Sequence, residues 1–102
     1  MSIVKPLRET RQGMQNVQDA IIDQLQAREV SITADNFSWN HGREFVGFPS
    51  IVHMTVQAGS RAAVKNWPRE WLADSWDSDH IDRWEVRAEI ERIIDELADA
   101  TA

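Results

Sequence analysis

The apolar positions along the chain change their spacing twice, and the first segment has helical spacing. Its apolar residues recur every three or four positions: Met14, Val17, Ile21 and Leu25. This is the pattern of an amphipathic helix. Pro6 opens this segment, because proline is tolerated in a first helical turn. Gly13 costs about 1 kcal/mol relative to alanine inside a helix, so the pattern predicts a firm helix over residues 14–27.

The middle of the chain alternates apolar and polar residues, which is typical of half-buried strands. Val30, Ile32 and Ala34 form one alternation. The aromatic residues that follow occupy odd-numbered instead of even-numbered positions. This shift of the alternation by one residue indicates a bulge at residues 35–36. Residues 40–42 are typical of a turn. A second alternation after them places four apolar residues on one face: Val52, Met54, Val56 and Ala58. The pattern predicts a β-hairpin whose return strand is bent or split near residues 47–49.

The last part of the chain returns to helical spacing. Ser60 is a candidate N-cap for a short helix over residues 60–64. Pro68 opens a second short helical segment that reaches Trp76. The final stripe predicts about five turns of amphipathic helix, capped from residues 77–79. Its apolar members are Ile81, Trp84, Ala88, Ile90, Ile93, Ile94 and Leu97.

Together these elements predict an α+β fold with the order α-β-β-(α)-α. One hairpin packs against the N-terminal helix and the long C-terminal helix, and a third short strand remains an open alternative. The length of 102 residues suits a single domain over residues 1–102. The predicted core is Val17, Ile21, Leu25, Val30, Ile32, Val52, Met54, Val56, Trp84, Ile90, Ile93 and Leu97.

Composition narrows the class of protein. The chain has no cysteine, which excludes disulfide frameworks, thiolate metal sites and cysteine nucleophiles. Only Ile3 and Val4 form an apolar run near the start, and a signal peptide needs about 7–15 such residues. No stretch approaches the roughly 20 apolar residues of a membrane span. We therefore expect a cytoplasmic protein that does not associate with membranes.

Charge is unevenly distributed along the chain. Residues 74–102 hold ten acidic and three basic side chains, whereas residues 1–73 hold seven acidic and eight basic ones. A surface with this excess of acid repels phosphate backbones, which require clustered lysine and arginine. The sequence therefore predicts no direct binding to nucleic acid.

Five tryptophans are a second unusual feature, and four of them lie between residues 67 and 84. Either they fill the shallow core of a small sheet, or some of them form a recognition surface, because tryptophan is a preferred interface anchor. The phase of the last helix places Trp84 in the core. Trp67, Trp71 and Trp76 cannot all share a buried face with Leu72, so we expect at least one of them near the surface.

Acidic residues at the end of the last helix suggest a partner for that surface. Asp95, Glu96 and Asp99 oppose the helix dipole, since carboxylates in a last turn promote fraying. They are either a solubilising tail or a docking strip for a basic protein. We therefore expect a protein-binding or regulatory module that uses Trp67, Trp71, Trp76, Asp95, Glu96 and Asp99. If it self-associates, we expect a weak dimer formed through a hairpin edge or the tryptophan segment.

Enzyme and metal signatures are missing from the sequence. The three histidines, His41, His53 and His80, have no metal-ligand spacing, and no phosphate-binding loop or nucleophile elbow occurs. We expect no catalytic residue, metal or cofactor. The alternative is a small enzyme that uses His53 or His80 with a nearby carboxylate.

Two segments carry a family resemblance. Asn-Trp-Pro-Arg-Glu-Trp at residues 66–71 and Trp-Glu-Val-Arg-Ala-Glu-Ile-Glu-Arg-Ile-Ile at residues 84–94 resemble those of small proteins from Burkholderia-type bacteria, a family of unknown function. The resemblance covers about a third of the chain and implies no site residues.

Overall fold

A computed structural model of the chain describes residues 7–40, 51–75, 81 and 83–98. Its helices and strands, in chain order, are α1 Leu7–Ala27, a 3-10 turn at Ala34–Asn36, β1 Phe37–Asn40, β2 Ile51–Ala58, β3 Arg61–Pro68, α2 Arg69–Ala73 and α3 Trp84–Ala98. The predicted α+β class is confirmed. The turn at residues 40–42, the bend near residues 47–49 and the caps at residues 77–79 lie largely or wholly outside the described residues.

The three strands form one antiparallel sheet in the order β1-β2-β3. Along β2 the side chains alternate between exposed and buried from end to end, as the sequence predicts. The central residue Met54 lies opposite Trp39 of β1 and Lys65 of β3. One face of the sheet joins α1 and α3 in a single hydrophobic core, and the other face is exposed.

The short helix predicted over residues 60–64 is wrong, because this segment belongs to β3. Gly59 and Ser60 form the two-residue turn between β2 and β3, and Gly59 has a positive φ of 62°. A glycine at the first central position is what a type II′ hairpin turn requires. Residues 61–63 are compatible with a helix, but pairing along all of β2 outweighs that weak local preference.

The strand predicted from Val30 onwards is also wrong. Val30 and Ile32 are buried as expected, but strand pairing begins only at Phe37. A side chain of α1, and not a neighbouring strand, forms a hydrogen bond with the backbone of this segment: Gln26 Nε2 donates to the carbonyl oxygen of Ile32 at 3.1 Å. In place of the predicted bulge, a 3-10 turn capped by Thr33 leads into β1.

The first helix ends in a Schellman motif. The amide of Val30 donates to the carbonyl of Leu25 at 2.9 Å, and the amide of Glu29 donates to that of Gln26 at 2.9 Å. This pair of bonds is the defining pattern of the motif, in which the residue after the cap adopts the left-handed conformation. Glu29 does so with a φ of 63°, a conformation that glycine adopts without strain.

The closest helix contact joins α1 to α2 at Gly13. A Cβ atom on Gly13 would lie 1.6 Å from the carbonyl oxygen of Leu72, far inside van der Waals contact. Beside it, Asn16 Nδ2 donates to the carbonyl oxygen of Ser75 at 2.8 Å in a buried hydrogen bond. The glycine that weakens α1 as an isolated helix is therefore what allows α2 to pack against it.

Eleven of the twelve predicted core residues are buried, and Trp84 is the exception with 67% of its surface exposed. Trp84 precedes Ile93 by nine residues, which at 100° per residue places the two side chains on opposite sides of α3. Val86 takes its place in the core. The sequence pattern grouped Trp84 with Ala88, which is also exposed.

In the described part of the chain, no helix combines the length and apolar character needed to cross a membrane.

Substituting Gly13 with alanine tests the contact between α1 and α2. We expect Gly13→Ala to destabilise the fold by about 2 kcal/mol or more, because the added methyl group forces α2 away from α1. Helix propensity alone would stabilise α1 by about 1 kcal/mol, so the two effects have opposite signs. Urea unfolding measures the change, and Gln24→Ala on the exposed side of α1 is the control. An increase in stability for Gly13→Ala would contradict this contact.

Substituting Glu29 with glycine tests the helix end. We expect Glu29→Gly to stabilise the protein by about 1 kcal/mol, because a side chain in the left-handed region costs roughly 1–2 kcal/mol that glycine avoids. Arg28→Gly, one residue earlier and outside the left-handed region, should instead be destabilising. Thermal melts of the two variants measure these opposite shifts, and equal shifts would show that Glu29 is not strained.

Candidate functional site

The predicted binding residues do not form one surface. Trp67 is fully buried, so its prediction as a partner-binding residue is corrected: its position in β3, opposite Val52, points the ring into the core. Its indole N–H has no hydrogen-bond partner among the described residues, so no hydrogen bond from the indole holds the ring. Trp76 and Asp99 lie outside the described residues.

Trp71 on α2 is half-buried and lies close to two cations. The Lys65 Nζ atom is 5.7 Å from the centre of its ring, and the Arg83 guanidinium carbon is 5.4 Å away. Lys65 lies at the same distance of 5.7 Å from the ring of Trp67. Such distances allow cation–π attraction. Trp71 is therefore engaged by its own protein, which reduces the area it offers to a partner.

Both cations also form ion pairs that connect α3 to the rest of the fold. Arg83 Nη1 lies 2.6 Å from Asp74 Oδ2 at the end of α2. Lys65 Nζ on β3 lies 3.4 Å from Glu89 Oε1 on α3. These contacts fix the start of α3 against α2 and its middle against β3. They add to the orientation of α3 that its five buried side chains set.

Glu89 is the described carboxylate with a shifted pKa. Partial burial raises the pKa, but the hydrogen bond from Arg92 Nε at 2.9 Å and the positive charges of Lys65 and Arg92 lower it by more. The net result is a pKa below the ordinary value of a glutamate. Folding therefore favours the ionised form of Glu89.

The outer stripe of α3 is the most distinctive exposed surface, and we define it as Trp84, Ala88, Glu91 and Asp95. These positions are spaced by four, three and four residues, so they lie on one side of the helix, and all four are exposed. The buried side is formed by Val86, Ile90, Ile93, Ile94 and Leu97. Trp84 is thus a large aromatic residue aligned with two carboxylates.

Glu96 lies beside this stripe and is engaged within the helix. Its Oε2 atom accepts a hydrogen bond from Arg92 Nη1 at 2.6 Å. Asp95 is exposed on the stripe. Of the six predicted binding residues, the structure therefore places Asp95 on the stripe with Trp84 and Glu96 beside it.

Sequence reasoning missed Trp84 as a surface residue, although the signal was present. A helical wheel centred on Ile90, Ile93 and Leu97 places residue 84 outside the apolar stripe. The sequence does not say which of the apolar residues of α3 lie at the middle of its buried side. The burial of Val86 shows which side of α3 faces the core, and this burial is a property of the packed fold.

His53 lies on the exposed face of the sheet rather than in a cleft. Its Nδ1 atom shares a hydrogen bond with the side chain of Asn66 on β3, opposite it in the register. Within residues 7–40, 51–75, 81 and 83–98, no group of three or more acidic or histidine side chains could hold a metal ion. His41 and His80 lie outside the described residues.

Replacing Glu89 by glutamine tests the ion pairs of α3. A lowered folded-state pKa means that the ionised group contributes stability above its unfolded pKa, near 4.5, and loses it as pH falls through the folded value. Glu89→Gln should therefore be less stable than the wild type at pH 7, by less than about 1 kcal/mol, and the gap should narrow at a pH well below 4.5. Urea unfolding at both pH values measures the gap. Glu91→Gln, exposed on the same helix, is the control, and a gap for Glu89→Gln that persists at low pH would contradict the assignment.

No family model, curated protein or solved structure matches the chain. The resemblance of residues 66–71 and 84–94 to small bacterial proteins therefore stays a prediction. The function of the chain must be inferred from the geometry of its own residues.

Proposed function

We propose that the protein is a protein-binding module whose partner presents a basic segment to the outer stripe of α3. The observation that carries the proposal is the exposure of Trp84, at 67%, in line with Glu91 and Asp95. An aromatic anchor next to charged residues divides the work of an interface: the anchor supplies affinity and the charges steer association.

The anchor is Trp84 and not the tryptophan segment predicted from sequence. Trp67 is inside the core and Trp71 packs against Lys65 and Arg83. A tryptophan that becomes buried on binding can remove about 150–250 Å² from water. Trp84 has most of this area available, which favours it as the residue that a partner covers.

The charge of the surface determines the class of partner. Glu91 and Asp95 lie on the stripe with Trp84, and α3 as a whole has five acidic and two basic side chains. An acidic partner would be repelled, and nucleic acid would be repelled for the same reason. A protein segment rich in lysine or arginine is therefore the complementary ligand.

The stripe is also held in place before any partner arrives. Five buried side chains anchor α3 in the core, and ion pairs join it to α2 and β3. A surface that is already ordered loses less conformational entropy on binding than a flexible tail. This supports a docking function for the helix itself.

Affinity capture with a set of matched baits tests the proposal. We expect a basic protein to be retained by the wild type and lost by Trp84→Ala, because truncating a central tryptophan costs about 2 kcal/mol or more, roughly thirtyfold in affinity. Glu91→Lys combined with Asp95→Lys should lose the same protein. Its association rate with the wild type should fall between about 0.1 M and 1 M salt, as the Debye length shortens from roughly 10 Å to 3 Å.

The control bait is Asp19→Lys combined with Asp23→Lys, which makes the same change in charge on the exposed side of α1. It should retain the partner at near wild-type levels. If all four baits retain the same proteins, or if the α1 control loses them as fully as the α3 variant, the stripe is not the binding surface.

A further inference from the structure

The face of the sheet opposite the helices has an unusual composition. The strand registers place ten side chains on it: Ser38, Asn40, Ile51, His53, Thr55, Gln57, Ala62, Val64, Asn66 and Pro68. None is Asp, Glu, Lys or Arg, although these four types make up 27% of the chain. We call this surface the open sheet face.

The open sheet face also carries exposed apolar area. Ile51 is 38% exposed and Val64 is 62% exposed, and they are two of the three large hydrophobic side chains that the structure leaves exposed in its described part. The central row across the strands is Ser38, Thr55 and Val64. The face therefore has no Asp, Glu, Lys or Arg side chain and is partly apolar.

From this we propose that the open sheet face is the contact between two copies of the chain, packed sheet against sheet. The binding of a basic partner by α3 is a separate matter, because it uses the opposite side of the molecule. Two sheets pack face to face at about 10 Å, with the helices of each copy on the outside. The dimer would have four layers, in the order helices, sheet, sheet, helices.

Charge is the argument for a second copy as the occupant. The chain has a net charge of −6, so contacts between its charged helical surfaces bring like charges together. Face-to-face packing of the sheets avoids this repulsion, since the open sheet face is uncharged and the acidic helices α3 end up on opposite sides of the dimer. A strongly basic or acidic partner would find no complementary charge on this face.

A contact through the outer edge of β3 would be less favourable. That edge is flanked by α3, whose carboxylate Glu89 reaches Lys65 on β3. Pairing β3 with its copy would place the two α3 helices side by side, with their acidic residues near each other. Pro68 at the end of β3 also removes a backbone donor from the edge.

The size of the face predicts a weak dimer. β2 and β3 have eight residues each and β1 has four. At about 3.4 Å per residue and 4.8 Å per strand, the face has a footprint of roughly 300 Å² for each copy. A typical stable interface buries about 800 Å² from each partner. The dimer should therefore form and dissociate with protein concentration rather than persist on dilution.

Sedimentation equilibrium of the whole chain tests the proposal. We expect the wild type to pass from monomer to dimer between about 10 µM and 1 mM, the range of a small interface. Thr55→Lys and Val64→Lys each place a charge on the face of both copies, and each should weaken the dimer at least tenfold. Circular dichroism and thermal melting check that the variants remain folded.

Two controls separate the possible contacts. Gln24→Lys adds the same charge to the exposed side of α1 and should leave the dimer intact. A dimer lost in Val64→Lys but kept in Thr55→Lys would overturn the proposal, because Thr55 lies on the central strand, away from either edge. A wild type that stays monomeric over the whole range would overturn it as well.

Discussion

The close packing of α2 on α1 at Gly13 is the contact on which the rest of the fold depends. The carbonyl oxygen of Leu72 occupies the space that any larger side chain at position 13 would need. Because the helices approach so closely, the buried bond from Asn16 to the carbonyl of Ser75 can form. A short helix of five residues could not hold its own position, so α1 positions it.

The placement of α2 in turn determines which tryptophans are available for binding. β3 leads directly into α2, so Trp67 enters the core while Trp71 turns towards Lys65 and Arg83. Arg83 then pairs with Asp74 and fixes the start of α3. Because Val86, Ile90 and Ile93 are buried in the core, Trp84 is directed outward, with Glu91 and Asp95 along the same side of the helix.

The molecule thus has two surfaces of different character on opposite sides of its core. The helical side carries charge and an exposed aromatic anchor, which suits recognition of a basic partner. The sheet side is neutral and partly apolar, which suits contact with a second copy. Since the two surfaces do not overlap, the proposed binding of a partner and the proposed self-association are compatible in one assembly.

The sequence alone determined the elements whose hydrophobic period is regular over a long stretch. The spacing of Val17, Ile21 and Leu25 predicted α1, and the alternation from Val52 to Ala58 predicted β2, because a regular period leaves only one face to bury. The acidic character of the last third, including Asp95 and Glu96, could also be read directly from the sequence.

Only the tertiary structure decided the features that depend on a neighbour. Residues 61–68 became a strand because β2 offered a full-length partner, and residues 30–33 did not pair with any of the described strands. Gly13 looked like a weakness of α1 until α2 was in place. The same reason places Trp67 in the core and Trp84, the proposed anchor, on the surface: both lie in plausible apolar stripes, and which stripe is buried depends on what packs against it.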